Sequence, residues 1–213
     1  MLKANGLKIL KINKKKFLYL ISPNKISEQF YKNLIDVLKS NKISFFQLRL
    51  KKDSYKKKLK IAKKIQKICK KFKVKFLIND DPKLTKLVNA DGCHLGQKDM
   101  SIVNAKKLLK KKIIGITCHN SIKLAKIAHK NNANYIAFGA FNSTKTKKVR
   151  YKANIGTIKK FKKISKIPIV AIGGINNLNY KKLLLNKADF LAISGYVWNN
   201  KKLKPIEAIK LLK

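Results

Sequence analysis

The chain has 213 residues, of which 53 are Lys or Arg and nine Asp or Glu, a formal charge of +44. Hydrophobic residues make up 45% of it, enough for a substantial core, so the chain need not be a disordered basic tail. The longest apolar stretch, residues 167–175, is nine residues long with Pro168 inside it, which excludes a bilayer span of about 20 residues.

In chain order, short runs rich in Ile, Val and Phe alternate with longer stretches whose apolar residues recur at helical spacing. The first run, 17–21, is predicted as a strand. It follows a basic segment but is too short for a secretory core, and no small-residue cleavage site follows it. The second strand, 43–48, runs into Gln47-Leu48-Arg49-Leu50-Lys51. Alternation puts Gln47, Arg49 and Lys51 on one side and Leu48 and Leu50 on the other. Three donors pointing inward near a strand end suit a polyanion. Only two of the 53 basic residues are arginine, Arg49 and Arg150, and lysine cannot supply the two-pronged grip of a guanidinium on phosphate.

A helix is predicted over 55–72, with Leu59, Ala62, Ile65, Gln66 and Cys69 at helical spacing, then a third strand at 74–78 and a fourth at 92–95. These lead into Asn79-Asp80-Asp81-Pro82 and Gly96-Gln97-Lys98-Asp99. Asp80, Asp81, Asp91 and Asp99 are four of the nine acids and lie within 20 residues. Asp81 before Pro82 reads as a helix cap with proline in the first turn, and Asp99 reads as a cap for a helix from Ser101. Asp80 and Asp99 also end adjacent strands, where their carboxylates can converge. Two carboxylates completed by substrate phosphates describe a Mg²⁺ site, and the cationic walls around them point to a metal–pyrophosphate complex.

The fifth strand, 113–117, leads to Cys118 and His119, the latter at the rim and open to a proton-transfer role. A helix follows over 121–130, with His129 read as a surface residue. Neither Cys93-His94 nor Cys118-His119 has zinc-ligand spacing, and Cys69, Cys93 and Cys118 form no disulfide framework, which suits a reducing cytoplasm. After the sixth strand, 135–138, Thr144, Thr146 and Lys147 have a Thr-x-Thr-Lys spacing able to bind phosphate. The seventh strand, 167–172, ends in Gly173-Gly174 and the eighth, 190–193, in Ser194-Gly195, where phosphate can approach backbone N–H groups.

Eight strands alternating with helices and no linker predict a single-domain (β/α)₈ TIM barrel over 1–213, with a doubly wound open sheet as the alternative. In such a barrel the chemistry lies at the C-terminal ends of the strands. The lysines are spread over nearly every helix and loop without interleaved stacking aromatics, so no specific nucleic-acid partner is expected.

Seven stretches taken together resemble the thiamine phosphate synthase/TenI superfamily: QLRLK (47–51), FLIND (76–80), ADGCHLGQKDM (90–100), IIGITCHNS (113–121), ANYIAFGAFNSTKTK (133–147), IPIVAIGGI (167–175) and ADFLAISGYVW (188–198). They fall in family order, and their wording is most similar to the synthase-like branch common in alphaproteobacteria. The resemblance implies a TIM barrel that joins 4-amino-2-methyl-5-hydroxymethylpyrimidine diphosphate to a thiazole phosphate or its carboxylate. Thiamine monophosphate and diphosphate would form by a Mg²⁺-assisted dissociative displacement. It also implies that Arg49, Lys51, Asn79 and Lys147 hold the diphosphate, that Gln47 lines the pyrimidine pocket, and that Asp80 and Asp99 coordinate Mg²⁺. Thr144, Thr146, Gly173, Gly174, Ile193 and Ser194 would hold the thiazole phosphate. Thr117, where the family usually has Ser, joins Arg49, Lys51 and Lys147 in the implied catalytic set; its hydroxyl is kept and its methyl narrows the pocket. Ala140 and Ser143 replace prolines common before the Thr-x-Thr-Lys loop.

Two other readings stand beside the synthase. TenI-type thiazole tautomerases share the barrel and use a histidine near His119, and a non-catalytic basic barrel could serve as a binding or regulatory module. Asp80, Asp99 and Arg49 favour the synthase, because a tautomerase has no diphosphate–metal complex to hold. The partners expected are small phosphorylated substrates, with no membrane; whether the chain forms a homo-oligomer is not readable from the sequence.

Overall fold

The computed structural model describes residues 16–143 and 150–213. Eight parallel strands pair in chain order and the last pairs with the first, which closes a barrel and sets aside the open sheet. The strands are β1 (Leu18–Ile21), β2 (Ile43–Leu48), β3 (Lys75–Asn79), β4 (Gly92–Leu95), β5 (Ile113–His119), β6 (Tyr135–Gly139), β7 (Ile169–Ile172) and β8 (Phe190–Ile193). Parallel neighbours require crossovers, and helices supply them: α1 (Glu28–Lys39), α2 (Tyr55–Lys71), α3 (Pro82–Leu87), α4 (Ile102–Leu109), α5 (Ile122–Lys130), α6 (Ile155–Ile164) and α7 (Tyr180–Leu185). After β8 come the short α8 (Gly195–Trp198) and α9 (Pro205–Lys210).

Helices begin where a side chain can take up an otherwise unpaired amide. Ser27, Ser54, Asp81, Ser101, Ser121 and Asn154 each accept a hydrogen bond from the amide three residues on. Asp81 therefore caps α3 as expected, with Pro82 in the first turn, where its missing N–H costs nothing. Asp99 does not cap α4; Ser101 does, and the Asp99 carboxylate is free for another contact.

Strand alternation divides the core in two. Outward residues such as Leu20, Phe46, Phe76 and Phe138 pack beneath the helices, while Tyr19, Phe45, Leu77, Tyr135, Val170 and Phe190 fill the barrel itself. Gly115 leaves room for one of these. A Cβ at that position would overlap the Tyr135 ring, so the aromatic occupies the space a side chain on β5 would take.

Five strands differ at their ends from the sequence expectation. β1 starts one residue later and β6 ends one residue later, while β3 starts and ends one residue later and so includes Asn79. β7 starts after Pro168, which has no N–H for the ladder. β5 runs on to His119 through a bulge: Thr117 pairs with Ala137 and His119 with Phe138, leaving Cys118 as the extra residue.

The acids that cluster in sequence separate in space. Asp91 sits at the N-terminal end of the barrel, where it accepts from Phe76 N at 2.9 Å and pairs with Lys75 at 2.8 Å. Asp189 does the same between β7 and α6, accepting from Ile169 N at 2.7 Å and Lys162 Nζ at 2.5 Å. Asp80 and Asp99 lie at the opposite end. No described helix is long and apolar enough to cross a membrane.

Candidate active site

Gln47 is the inward residue near the end of β2 and is 2% exposed. Its Nε2 donates to Asn79 Oδ1, on the last residue of β3, at 2.5 Å, and its Oε1 accepts from the Tyr19 hydroxyl at 2.9 Å. Both ends of the Gln47 amide are thus engaged inside the barrel, with one Nε2 hydrogen left over. The polar chain continues. The Tyr19 and Tyr135 hydroxyls are 2.8 Å apart, Tyr135 is 2.9 Å from His94 Nδ1, and His94 Nε2 is 2.8 Å from Thr117 Oγ1. One file of hydrogen bonds thus crosses the barrel from Asn79 to Thr117. Burial pushes both phenols well above their ordinary range, so they stay protonated. His94 is not fully buried, but the protein packed around it desolvates the ring and lowers its pKa to about 4, against an upward pull from Asp80.

Asp80 and Asp99 converge. Asp80 follows β3 in the left-handed region, at φ 65°, a conformation Asp tolerates better than bulky residues, and its N–H donates to His94 O at 2.8 Å. Asp99 Oδ2 accepts from Gly96 N at 2.6 Å. Burial raises the Asp99 pKa, and a hydrogen bond with the Asp80 carboxyl and the charge of Asp80 raise it further; the Gly96 amide and Lys51 oppose this. Lys51 Nζ is 3.1 Å from Asp80 Oδ2. Two hard oxygen donors held together with one lysine as counter-charge fit a divalent cation such as Mg²⁺. No group of three or more His, Cys, Asp or Glu among the described residues could hold a metal, so the remaining ligands there would come from substrate or water.

Arg49 and Lys51 lie just past the end of β2. Arg49 is half-buried; its N–H donates to Ser22 Oγ at 2.9 Å and its Nη1 to Asn24 Oδ1 at 3.4 Å. A cleft of about 330 Å³ opens on this side of the rim, lined in part by Lys51, Lys58, Asn79 and Asp80. Across the mouth, Gly173 has φ 110°, outside the left-handed region other residues can reach, and Gly174 has φ 58°, where a Cβ would collide with Ser143 O. Ile193 is buried at the end of β8, and Ser194 at the start of α8 donates to Ser22 O at 3.2 Å. Ser22 thus joins the Arg49 side of the mouth to the Ser194 side. Thr144, Thr146 and Lys147 lie outside the described residues. His119 ends β5 at φ 53° with its ring stacked 4.3 Å from Tyr151, while His129 is on the surface as expected. Cys93 and Cys118 are buried and their thiols are pushed up to about 12, so neither supplies a thiolate.

Sequence reasoning did not find Tyr19 and Tyr135, and it weighed His94 only as a partner of Cys93. The available signal was alternation. It points both tyrosines into the barrel, where a buried hydroxyl needs a partner.

A profile of the family described as thiamine monophosphate synthase matches residues 18–197. The chain is 67% identical over 204 residues to the thiamine-phosphate synthase of Pelagibacter ubique (strain HTCC1062), spanning 95% of this chain and 98% of that one. It is 37% identical over 196 residues to the thiamine-phosphate synthase of Erythrobacter litoralis (strain HTCC2594), spanning 90% and 92%. Among solved structures, thiamine phosphate pyrophosphorylase from Pyrococcus furiosus matches with a TM-score of 0.81 and 27% identity, over 94% of this chain and 96% of that one. Barrel, strand-end acids and close relatives lead to one assignment: the chain belongs to the thiamine monophosphate synthase family of transferase enzymes.

Proposed function

We propose that the protein condenses hydroxymethylpyrimidine diphosphate with a thiazole phosphate to give thiamine monophosphate and diphosphate, or with its carboxylate to give the same two products and CO2. The convergence of Asp80, Asp99 and Lys51 beside Asn79 carries this reading, since it offers carboxylates for a metal and cations for a leaving diphosphate at one point on the rim. Asp80 and Asp99 would hold Mg²⁺, which when bound neutralises leaving-group charge. Arg49, Lys51 and the Asn79 amide grip the diphosphate, joined by Lys147. As the methylene C–O bond breaks, its electron pair leaves with the diphosphate and positive charge spreads into the aminopyrimidine ring. The thiazole nitrogen lone pair then forms the new C–N bond. The protein's task is to neutralise the departing charge and hold the nucleophile close, with Gly173, Gly174, Ile193 and Ser194, together with Thr144 and Thr146, on the thiazole phosphate. No proton leaves carbon, so no strong general base is required. Gln47 and Thr117 border the pyrimidine.

The test is incubation of the protein with both substrates and Mg²⁺. Thiamine monophosphate and diphosphate should form in equal amounts, EDTA should stop the reaction, and Asp99→Asn should slow it by about 100-fold or more, the scale of losing an electrostatic contact made in the transition state. Failure to form thiamine monophosphate, together with a His119-dependent thiazole tautomerisation that survives Asp99→Asn, would replace this reading with the tautomerase.

A further inference from the structure

The hydrogen-bond file beneath the mouth has a direction, and proton counting fixes it. Gln47 gives its Nε2 to Asn79, so the end facing Tyr19 is Oε1, and Tyr19 must commit its single proton there. Tyr135, 2.8 Å from Tyr19, must then donate to it. With that proton committed, the Tyr135 oxygen can only accept from His94, so Nδ1 carries the imidazole proton. Among the described residues no carboxylate hydrogen-bonds this ring and its two partners are both hydroxyls, so the direction of the file assigns it a single N–H, at Nδ1. Nε2 is therefore bare, and the Thr117 hydroxyl donates to it. Only lone pairs remain on Thr117 Oγ1 for anything else that approaches.

The other end fits the same direction. Asn79 Oδ1 is taken by Gln47, so the amide end left for a ligand is Nδ2, a donor suited to an anion. Reversing the file would turn the Asn79 oxygen toward the diphosphate. The glycine at 115 belongs to the device, because it makes the space in which Tyr135 bridges from Tyr19 to His94.

We propose that Tyr19, Tyr135 and His94 are positioning residues that transmit the orientation of the Asn79–Gln47 amides across the barrel and hold the Thr117 hydroxyl as an acceptor, so that the enzyme selects an aminopyrimidine over its oxo counterpart. This rests on the proposed reaction. An amino group at the Thr117 end donates to the lone pairs presented there, whereas an oxo group places lone pair against lone pair. A site built for one hydrogen-bonding partner rejects the analogue that lacks it far more strongly than an apolar pocket does.

The experiment compares kcat/KM for the 4-amino and 4-oxo pyrimidine diphosphates, with the same thiazole phosphate, in the wild type and in Tyr19→Phe and Tyr135→Phe. The wild type should prefer the amino compound by about 100-fold or more. Each Phe variant removes one link and frees His94 to take its other tautomer and donate to Thr117, whose own proton can then meet an oxo group. The amino-to-oxo ratio should therefore fall by about 10-fold or more, largely through a gain on the oxo compound. Loss of activity on both compounds in equal proportion, with the ratio unchanged, would overturn the inference, since that is what general loosening of a core does. If thermal melts show the Phe variants unfolded, Thr117→Val against Thr117→Ser decides: Val should lose the preference and Ser should keep it, and equal preference in both would overturn it. A wild type that releases diphosphate from neither compound overturns the proposed reaction and this inference with it. A wild type that turns over the amino compound while its Phe variants keep the ratio overturns the inference alone.

Discussion

Enclosing an imidazole among hydroxyls has a thermodynamic consequence at His94. Its folded pKa of about 4 lies below the ordinary histidine value of 6.5, so between those values the unfolded chain binds the proton that the folded chain refuses. The contribution of His94 to stability is complete above pH 6.5 and is lost as the pH falls toward 4. Between pH 6.5 and 5 this amounts to about 2 kcal/mol, and urea unfolding of wild type against His94→Gln across that interval should show it as the steeper decline of the wild type. Parallel declines would mean that the ring is not desolvated. Nothing in the local sequence announces this residue. Cys93-His94 reads as a reactive pair only until the bonding is known; the thiol then turns out to be buried and the ring to face two hydroxyls contributed by β5 and β6. Asp80 and Asp99 could be read earlier because their place at adjacent strand ends follows from the βα alternation alone. The hydrogen-bond file could not, because it depends on which inward side chains meet at one height in the closed barrel.

Strands and helices were legible because each signals itself locally, through apolar runs of strand length, helical spacing, and a Ser, Asp or Asn at the start of a helix. The ends were less so: the bulge that carries β5 on to His119 arises from pairing with β6, which no window of β5 contains. The N-terminal ends of the strands are tied by acids in a way that bears on stability and not on chemistry. Asp189 accepts from the first amide of β7 and from Lys162 of α6, and both ionic side chains are largely buried, at 17% and 16% exposure. Asp189→Ala would strand a buried ammonium and an amide together, a loss of about 3 kcal/mol in chemical denaturation. Asp91→Ala should cost less, about 1–2 kcal/mol, because Lys75 is 56% exposed and water can replace its partner, which leaves the Phe76 amide as the main loss. Neither variant, once folded, should change kcat/KM, since both acids lie at the end of the barrel away from Asp80 and Asp99. A selective loss of activity would place them in the chemistry after all.

Taken over the whole molecule, a charge of +44 with only nine acids makes a field that few individual lysines need to focus. The described helices carry much of it on their outer faces, as with Lys56, Lys60, Lys63 and Lys67 on α2, all exposed and without a part in the site. Such a surface attracts any polyanion, which is why its net charge says little about a nucleic-acid function: binding of that kind is insensitive to sequence and fades with salt. On the proposed reaction it bears on how a diphosphate would reach the rim. A field of this sign raises the encounter rate of an anionic substrate and is screened over about 10 Å at 0.1 M salt. Raising NaCl from about 0.05 to 0.5 M should therefore lower kcat/KM for the pyrimidine diphosphate by about 10-fold, while kcat, which in the proposed reaction depends on groups touching the leaving diphosphate, changes by less than about two-fold. Replacing the four α2 lysines with Gln should lower kcat/KM at low salt only, so that variant and wild type converge as the salt rises. A variant that stayed below the wild type at high salt would show those lysines touching substrate. One that matched it at every salt concentration would show that the lysine coat on this helix does not guide substrate to the barrel.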